Sequence, residues 1–142
     1  MSHISNISTE GLEFDLNTIK SLCDRQRWRF LEGQKSFVWY GREMEQCDHA
    51  IRIPGCQYEL GIIQNEGSDR YRAVADFYAK GGLNTVLGDH GEVFKSLYLQ
   101  ASDIRWAEEK NYGWEVGPST EEGTTRLTVF LGEDFSGGEG GW

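Results

Sequence analysis

Residues Gln57–Tyr78, QYELGIIQNEGSDRYRAVADFY, carry the reading that decides the fold. Tyr58, Leu60 and Ile62 alternate with Glu59, Gly61 and Ile63, and Tyr71, Ala73, Ala75 and Phe77 alternate with Arg72, Val74 and Asp76. Such period-two runs, rich in β-branched and aromatic residues, are strand patterns, because successive side chains point to opposite faces. Asn65-Glu66-Gly67-Ser68-Asp69 lies between them and supplies residues that accept positive φ or bond their own backbone, so the stretch reads as a hairpin. If all five form the turn, Gln64 faces Arg70, Gly61 faces Ala73, Glu59 faces Ala75 and Ile63 faces Tyr71. That register gathers Gly61, Ala73 and Ala75 into a small-residue patch, open to close approach by a helix or a large ring. Ordinary helix-on-sheet packing is the simpler use of it, and a ligand floor the alternative.

Working outward, His3–Ser8 reads as a first strand, and Asp15 as the cap of a helix over Leu16–Arg25 with Leu16, Ile19, Leu22 and Cys23 on one face. Arg25–Phe30, RQRWRF, read as extended chain, places Arg25, Arg27 and Arg29 on one side and Trp28 and Phe30 on the other. Ser36–Tyr40 and Asp48–Ile53 are further strands, with Gly41–Gln46 a polar connection between them and Pro54-Gly55 a turn after them. Gly81–Gly88 reads as a loop. Asp89 with Glu92 resembles a capping box, and a long helix follows from Gly91 to about Lys110, with Phe94, Leu97, Tyr98, Ala101 and Ile104 along one stripe. Leu99 and Trp106 fall off that stripe. Asn111 and Gly113 end the helix, and Trp114–Val116 with Thr124–Leu131 form a closing strand pair.

The order β-α-β-β-β-β-α-β-β predicts an α+β domain over residues 1–131, with an antiparallel sheet of about six to seven strands and two helices on one face. Residues 132–142, GEDFSGGEGGW, read as an acidic glycine-rich tail. At 142 residues the chain is long enough for one domain with its own core, and 13% aromatic content offsets a modest 38% hydrophobic share.

Charge and cysteine content narrow the function classes. The net charge of −9 argues against non-specific nucleic-acid binding, which depends on neutralising phosphates. Residues 111–142 hold six acids against Arg126 alone, a net of −5. Residues 20–42 run the other way, with six basic side chains against Asp24 and Glu32. Three cysteines, no apolar run near the roughly 18 residues of a membrane span, and no basic-then-apolar N-terminus lead us to expect a reducing, cytoplasmic location without membrane contact.

Motifs for chemistry are scarce. Cys47, His49 and Cys56, with His90 as a distant fourth, are the best metal-like set, but they lack the CxxC pairs of structural zinc, so no metal or other cofactor is assigned. There is no GxSxG elbow, P-loop or GxGxxG, and no catalytic residue is assigned.

Met1-Ser2-His3 with Ile4, Ile7 and Thr9, then Ala50-Ile51-Arg52, Tyr58-Glu59-Leu60-Gly61 and Tyr71–Tyr78, together with the long helix and last strand pair, resemble the ycf-thirty-five-type family. That family comprises hypothetical reading frames of plastids, cyanobacteria and phages with a domain of unknown function. The resemblance implies no catalytic residues, and Arg25–Phe30 and the acidic tail depart from it.

The expectation is a small non-enzymatic interaction protein, of the phage-type inhibitor or adaptor kind, whose partner is another protein. Nucleic-acid binding through the Arg/aromatic segment 25–40 is the first alternative, an unrecognised enzyme the second, and self-association is left open. The candidate binding residues are Arg25, Arg27, Arg29, Trp39, Trp106, Asp134 and Trp142.

Overall fold

The computed structural model describes residues 4–7, 13–40, 44–118 and 125–130. The chain forms two compact units, Met1–Tyr98 and Leu99–Trp142. The first is built on a five-stranded antiparallel sheet in the order β1-β7-β6-β5-β2. Its strands are β1 (Ile4–Asn6), β2 (Arg29–Leu31), β5 (His49–Arg52), β6 (Leu60–Gln64) and β7 (Tyr71–Asp76). A second small sheet pairs β3 (Ser36–Val38) with β4 (Met44–Gln46). The class is α+β as expected. The strands divide among three sheets, and β4 occupies part of the segment expected to be a polar connection.

The Gln57–Tyr78 hairpin forms, but in a register one residue from the expected one. Gly61 pairs with Val74, Ile62 with Ala73, Ile63 with Arg72 and Gln64 with Tyr71. The Asn65 N–H donates to the Arg70 carbonyl at 2.9 Å, so Asn65 and Arg70 close the loop and leave Glu66–Asp69 between them. Inside it the Ser68 N–H donates to the Asn65 carbonyl at 3.1 Å, and the Ser68 hydroxyl accepts from the Arg70 N–H at 2.9 Å. A one-residue slip moves every side chain of one strand to the other face. Gly61 therefore shares its face with Val74 and Ala50, while Ala73 and Ala75 lie on the opposite side.

What covers Gly61 is a ring. Phe37 of β3, fully buried, packs with Ala50, Val74 and Cys47, and Leu31, Trp39, Ile4 and Ile63 border them. Burying a phenylalanine stabilises a fold by about 1.5–3 kcal/mol, which is enough to seat the small sheet on the large one.

The other face of the sheet carries Phe30, His49 and Tyr71, whose rings are 5.3 and 5.8 Å apart in sequence across the sheet. Helix α1 (Leu16–Gln26) lies on this side, with Lys20 Nζ 5.7 Å from the Phe30 ring. Asp15 caps it as expected, its Oδ2 accepting from the Thr18 N–H at 3.0 Å, and Ile19, Leu22 and Cys23 are buried. Phe14 packs edge-on against Phe94 and Tyr98, the first turns of α3 (Glu92–Glu109), and the Tyr98 hydroxyl accepts from the Asp15 N–H at 2.8 Å.

Two local readings change. Leu83–Leu87 forms a short helix, α2, instead of a loop, with Leu83 and Leu87 as its buried anchors. Glu92 is the first residue of α3 and not its third; its Oε1 accepts from the His90 N–H at 3.0 Å, and hydrogen bonding from its own backbone N–H, then from that of His90, holds its carboxyl below the usual range.

The second unit contains the C-terminal part of α3 and the antiparallel pair β8 (Gly113–Pro118) and β9 (Thr125–Phe130), in which Trp114 faces Val129 and Val116 faces Leu127. The helix ends at Glu109, and Asn111 just after it takes the left-handed region, φ 61°, as its residue type suggested. Gln100 Nε2 donates to Thr125 Oγ1 at 3.0 Å.

Candidate functional site

The arginine segment does not form the stripe expected of an extended chain. Helix α1 runs through Gln26, so Arg25 occupies its last turn, and Arg27 is its C-cap at φ 63°. The Arg27 N–H donates to the Asp24 carbonyl and the Trp28 N–H to the Cys23 carbonyl, satisfying the helix end. Only Arg29 lies on a strand. There it is the cross-strand neighbour of Arg52 on β5, on the face that carries Leu31 and Ala50.

That neighbourhood leads to a cleft of about 650 Å³ in the first unit, lined by Trp39, Tyr40, Arg52, Cys56, Tyr58 and Glu59 together with Val38, Gln57 and Lys80. The volume is in the range of small-ligand sites. Four chain segments build it, the turn Ala79–Gly81 contributing Lys80. The end of β3 contributes the aromatics, the end of β5 contributes Arg52, and the approach to β6 contributes residues 56–59.

Glu59 joins the strand segments. It is 4% exposed, its N–H donates to the Val38 carbonyl at 2.9 Å, and its Oε1 accepts from the Val38 N–H at 3.1 Å. Gln34 Nε2 donates to the same oxygen at 3.1 Å, and Oε2 lies 3.6 Å from Arg52 Nη1. The carboxylate is thus engaged in holding β3 against the start of β6. Tyr58 is pinned beside it, its ring pressed against Gly81, where any side chain would collide with it.

The mouth is aromatic and cationic. Tyr40 and Tyr78, 47% and 38% exposed, meet edge to face with ring centroids 6.0 Å apart. The Arg52 side chain is 59% exposed, and Lys80 makes no ion pair among the described residues. The Trp39 indole N–H is buried without a hydrogen-bond partner among the described residues.

The cleft offers binding groups and no activated nucleophile. Burial pushes the Cys56 thiol up, away from the thiolate. Burial, then the Asp76 carboxylate and the Tyr40 and Tyr78 phenols, raises Tyr58 as well. Elsewhere, burial pushes Cys23 up to about 12 and Cys47 up to about 11. A nucleophilic cysteine needs the opposite shift.

The metal-like set is dispersed. Cys47 packs on Phe37 and Ala50 and donates to the Gln34 carbonyl at 3.3 Å, His49 lies on the other face of the sheet, and the Cys56 sulfur would touch a Cβ built on Gly82. Among the described residues no group of three or more His, Cys, Asp and Glu side chains is arranged to hold a metal ion.

Of the sequence candidates, Trp39 enters the cleft and Arg29 adjoins it. Trp106, 46% exposed, lies in the second unit with its ring 5.3 Å from that of Tyr112. Asp134 and Trp142 lie outside the described residues. Sequence reasoning passed over Tyr40, Arg52, Glu59, Tyr78 and Lys80. Glu59 did leave a signal: a charged residue inside the apolar run YELGII needs a buried partner.

No protein-family model, curated protein or solved structure matches this chain. No helix among the described residues is long and apolar enough to cross a membrane.

Proposed function

We propose that the chain is a small non-enzymatic interaction protein, an adaptor or inhibitor, that binds another protein through the Tyr40–Arg52–Lys80 cleft. The observation that carries this is the cleft's composition: exposed tyrosines in edge-to-face contact and exposed cations around a carboxylate already engaged in the fold. Tyrosine and arginine are the residue types that dominate binding hot spots. The raised thiols and phenol support binding over catalysis. Three free cysteines support a reducing, intracellular setting. Kinship with the ycf-thirty-five-type family is proposed on the quoted strings alone.

The test is cross-linked capture of partners from cells of the source organism, using the full chain, a Tyr40→Ala/Lys80→Glu variant, and a chain truncated after Leu131. A partner retained by the full and truncated chains but lost by the cleft variant supports the proposal. Equal recovery by the cleft variant overturns it, and loss on truncation alone assigns recognition to the acidic tail.

A further inference from the structure

We infer that the cleft recognises an extended acidic segment of its partner, one bearing an aromatic side chain beside its carboxylates. The inference rests on the reading of the cleft as a protein-binding site and adds the chemistry of what fills it.

Charge comes first. Arg29 and Arg52 are direct cross-strand neighbours on one face, an arrangement that repels and destabilises a sheet unless an anion lies between or above them. Glu59 answers only part of this, since it approaches one guanidinium nitrogen at 3.6 Å while its other oxygen accepts from Val38 and Gln34. Lys80 adds a third cation at the rim. Two lining cations, Arg52 and Lys80, with Arg29 beside Arg52 on the same sheet face, thus accompany one lining carboxylate, on a protein whose net charge is −9. A local cationic site on an acidic chain is complementary to a compact anionic ligand.

Shape supplies the rest. The Tyr40 and Tyr78 rings stand exposed at the mouth, giving an edge-to-face platform that a further ring can extend.

A nucleic acid fits less well. A strand needs a continuous cationic track for its phosphates, and the arginines that would have extended one are divided between a helix end, a cap and a strand. A long polyanion also meets the field of the whole acidic chain, whereas a short segment interacts within about 10 Å, the screening length of moderate salt.

The test is selection of random dodecapeptides displayed on phage against the intact protein, followed by fluorescence anisotropy with the enriched peptides. Enrichment of Asp or Glu next to Phe, Tyr or Trp is expected. Affinity should fall about tenfold in Arg29→Glu and in Lys80→Glu, both exposed, with near-UV circular dichroism confirming the fold. Tyr40→Ala should weaken binding without changing its salt dependence. Basic or purely apolar winners, equal binding by the charge variants, or displacement of the peptides by tighter-binding oligo(dT) would each overturn the inference. If captured partners depend on the cleft while the selected peptides are not acidic, this inference fails and the protein-binding reading stands.

Discussion

Gly61 lies beneath the Phe37 ring so closely that a Cβ built on it would stand 2.5 Å from Cδ1 and Cε1. No alanine fits there unless the ring moves, and the ring is fully buried among Ala50, Val74 and Cys47. The glycine is required by this approach and not by its backbone angles.

Gly61→Val should therefore destabilise the protein by about 1–3 kcal/mol through overpacking. Urea denaturation would measure it. Adding Phe37→Leu should restore part of the loss, because contacting residues couple. Additive losses in the double variant would show that the two side chains do not meet.

Glu59→Ala should cost about 1–3 kcal/mol, because it strands the Val38 N–H and removes one of the two acceptors of the Gln34 amide. Glu59→Gln should cost less, since the amide oxygen can still accept from Val38. Hydrogen exchange at the Val38 amide checks the cause: it should accelerate in the alanine variant far more than exchange in β7. Uniform acceleration across the sheet would mean that Glu59 does not act through β3.

Arg27 holds a left-handed conformation, φ 63°, at the end of α1. Arg27→Gly should raise stability by about 0.5–1 kcal/mol, the strain relieved exceeding the extra freedom glycine gives the unfolded chain. A thermal melt decides it. A lowered midpoint would mean that the arginine side chain contributes more than its backbone costs.

Stability should decline at both ends of the pH scale, for opposite reasons. Burial raises Cys23 to about 12 and Cys47 to about 11, so above pH 9, the value of an unperturbed thiol, the unfolded chain loses protons that the folded chain keeps. Folding stability should thus be full below pH 9 and fall as pH rises toward 11–12. Cys23→Ala should flatten that slope in a series of urea midpoints.

On the acid side burial lowers His49, whose Nδ1 accepts from the Gly33 N–H at 2.9 Å. Below pH 6.5 the unfolded chain takes up a proton that the folded imidazole resists, so stability present above that pH should decline as pH falls through the folded value. NMR titration of His49 should give a midpoint below that of an unstructured histidine. A midpoint above it would remove this contribution.

Much of the architecture was legible locally. The Asp15 cap, the α1 face of Ile19, Leu22 and Cys23, the α3 stripe from Phe94 to Ile104, and the Trp114–Val129 strand pair all follow from periodicity and capping chemistry over a few residues. The hairpin was legible as a hairpin, and its register was not. A turn of four or five residues satisfies the same glycine and asparagine preferences, and only hydrogen bonds through Asn65, Ser68 and Arg70 choose between them.

That choice carries through to the cleft. Composition and alternation by themselves determined an α+β chain with a central antiparallel hairpin, three thiols, a net charge of −9 and few catalytic motifs. Tertiary structure alone decided that Phe37 roofs Gly61, that α1 continues through Gln26 and separates the arginines, and that Glu59 joins β3 to β6 beside Arg52 and Lys80. The reason is range. Side-chain periodicity reports which face a residue takes within its own element, whereas the cleft depends on contacts between segments 20 or more positions apart, such as Val38 with Glu59.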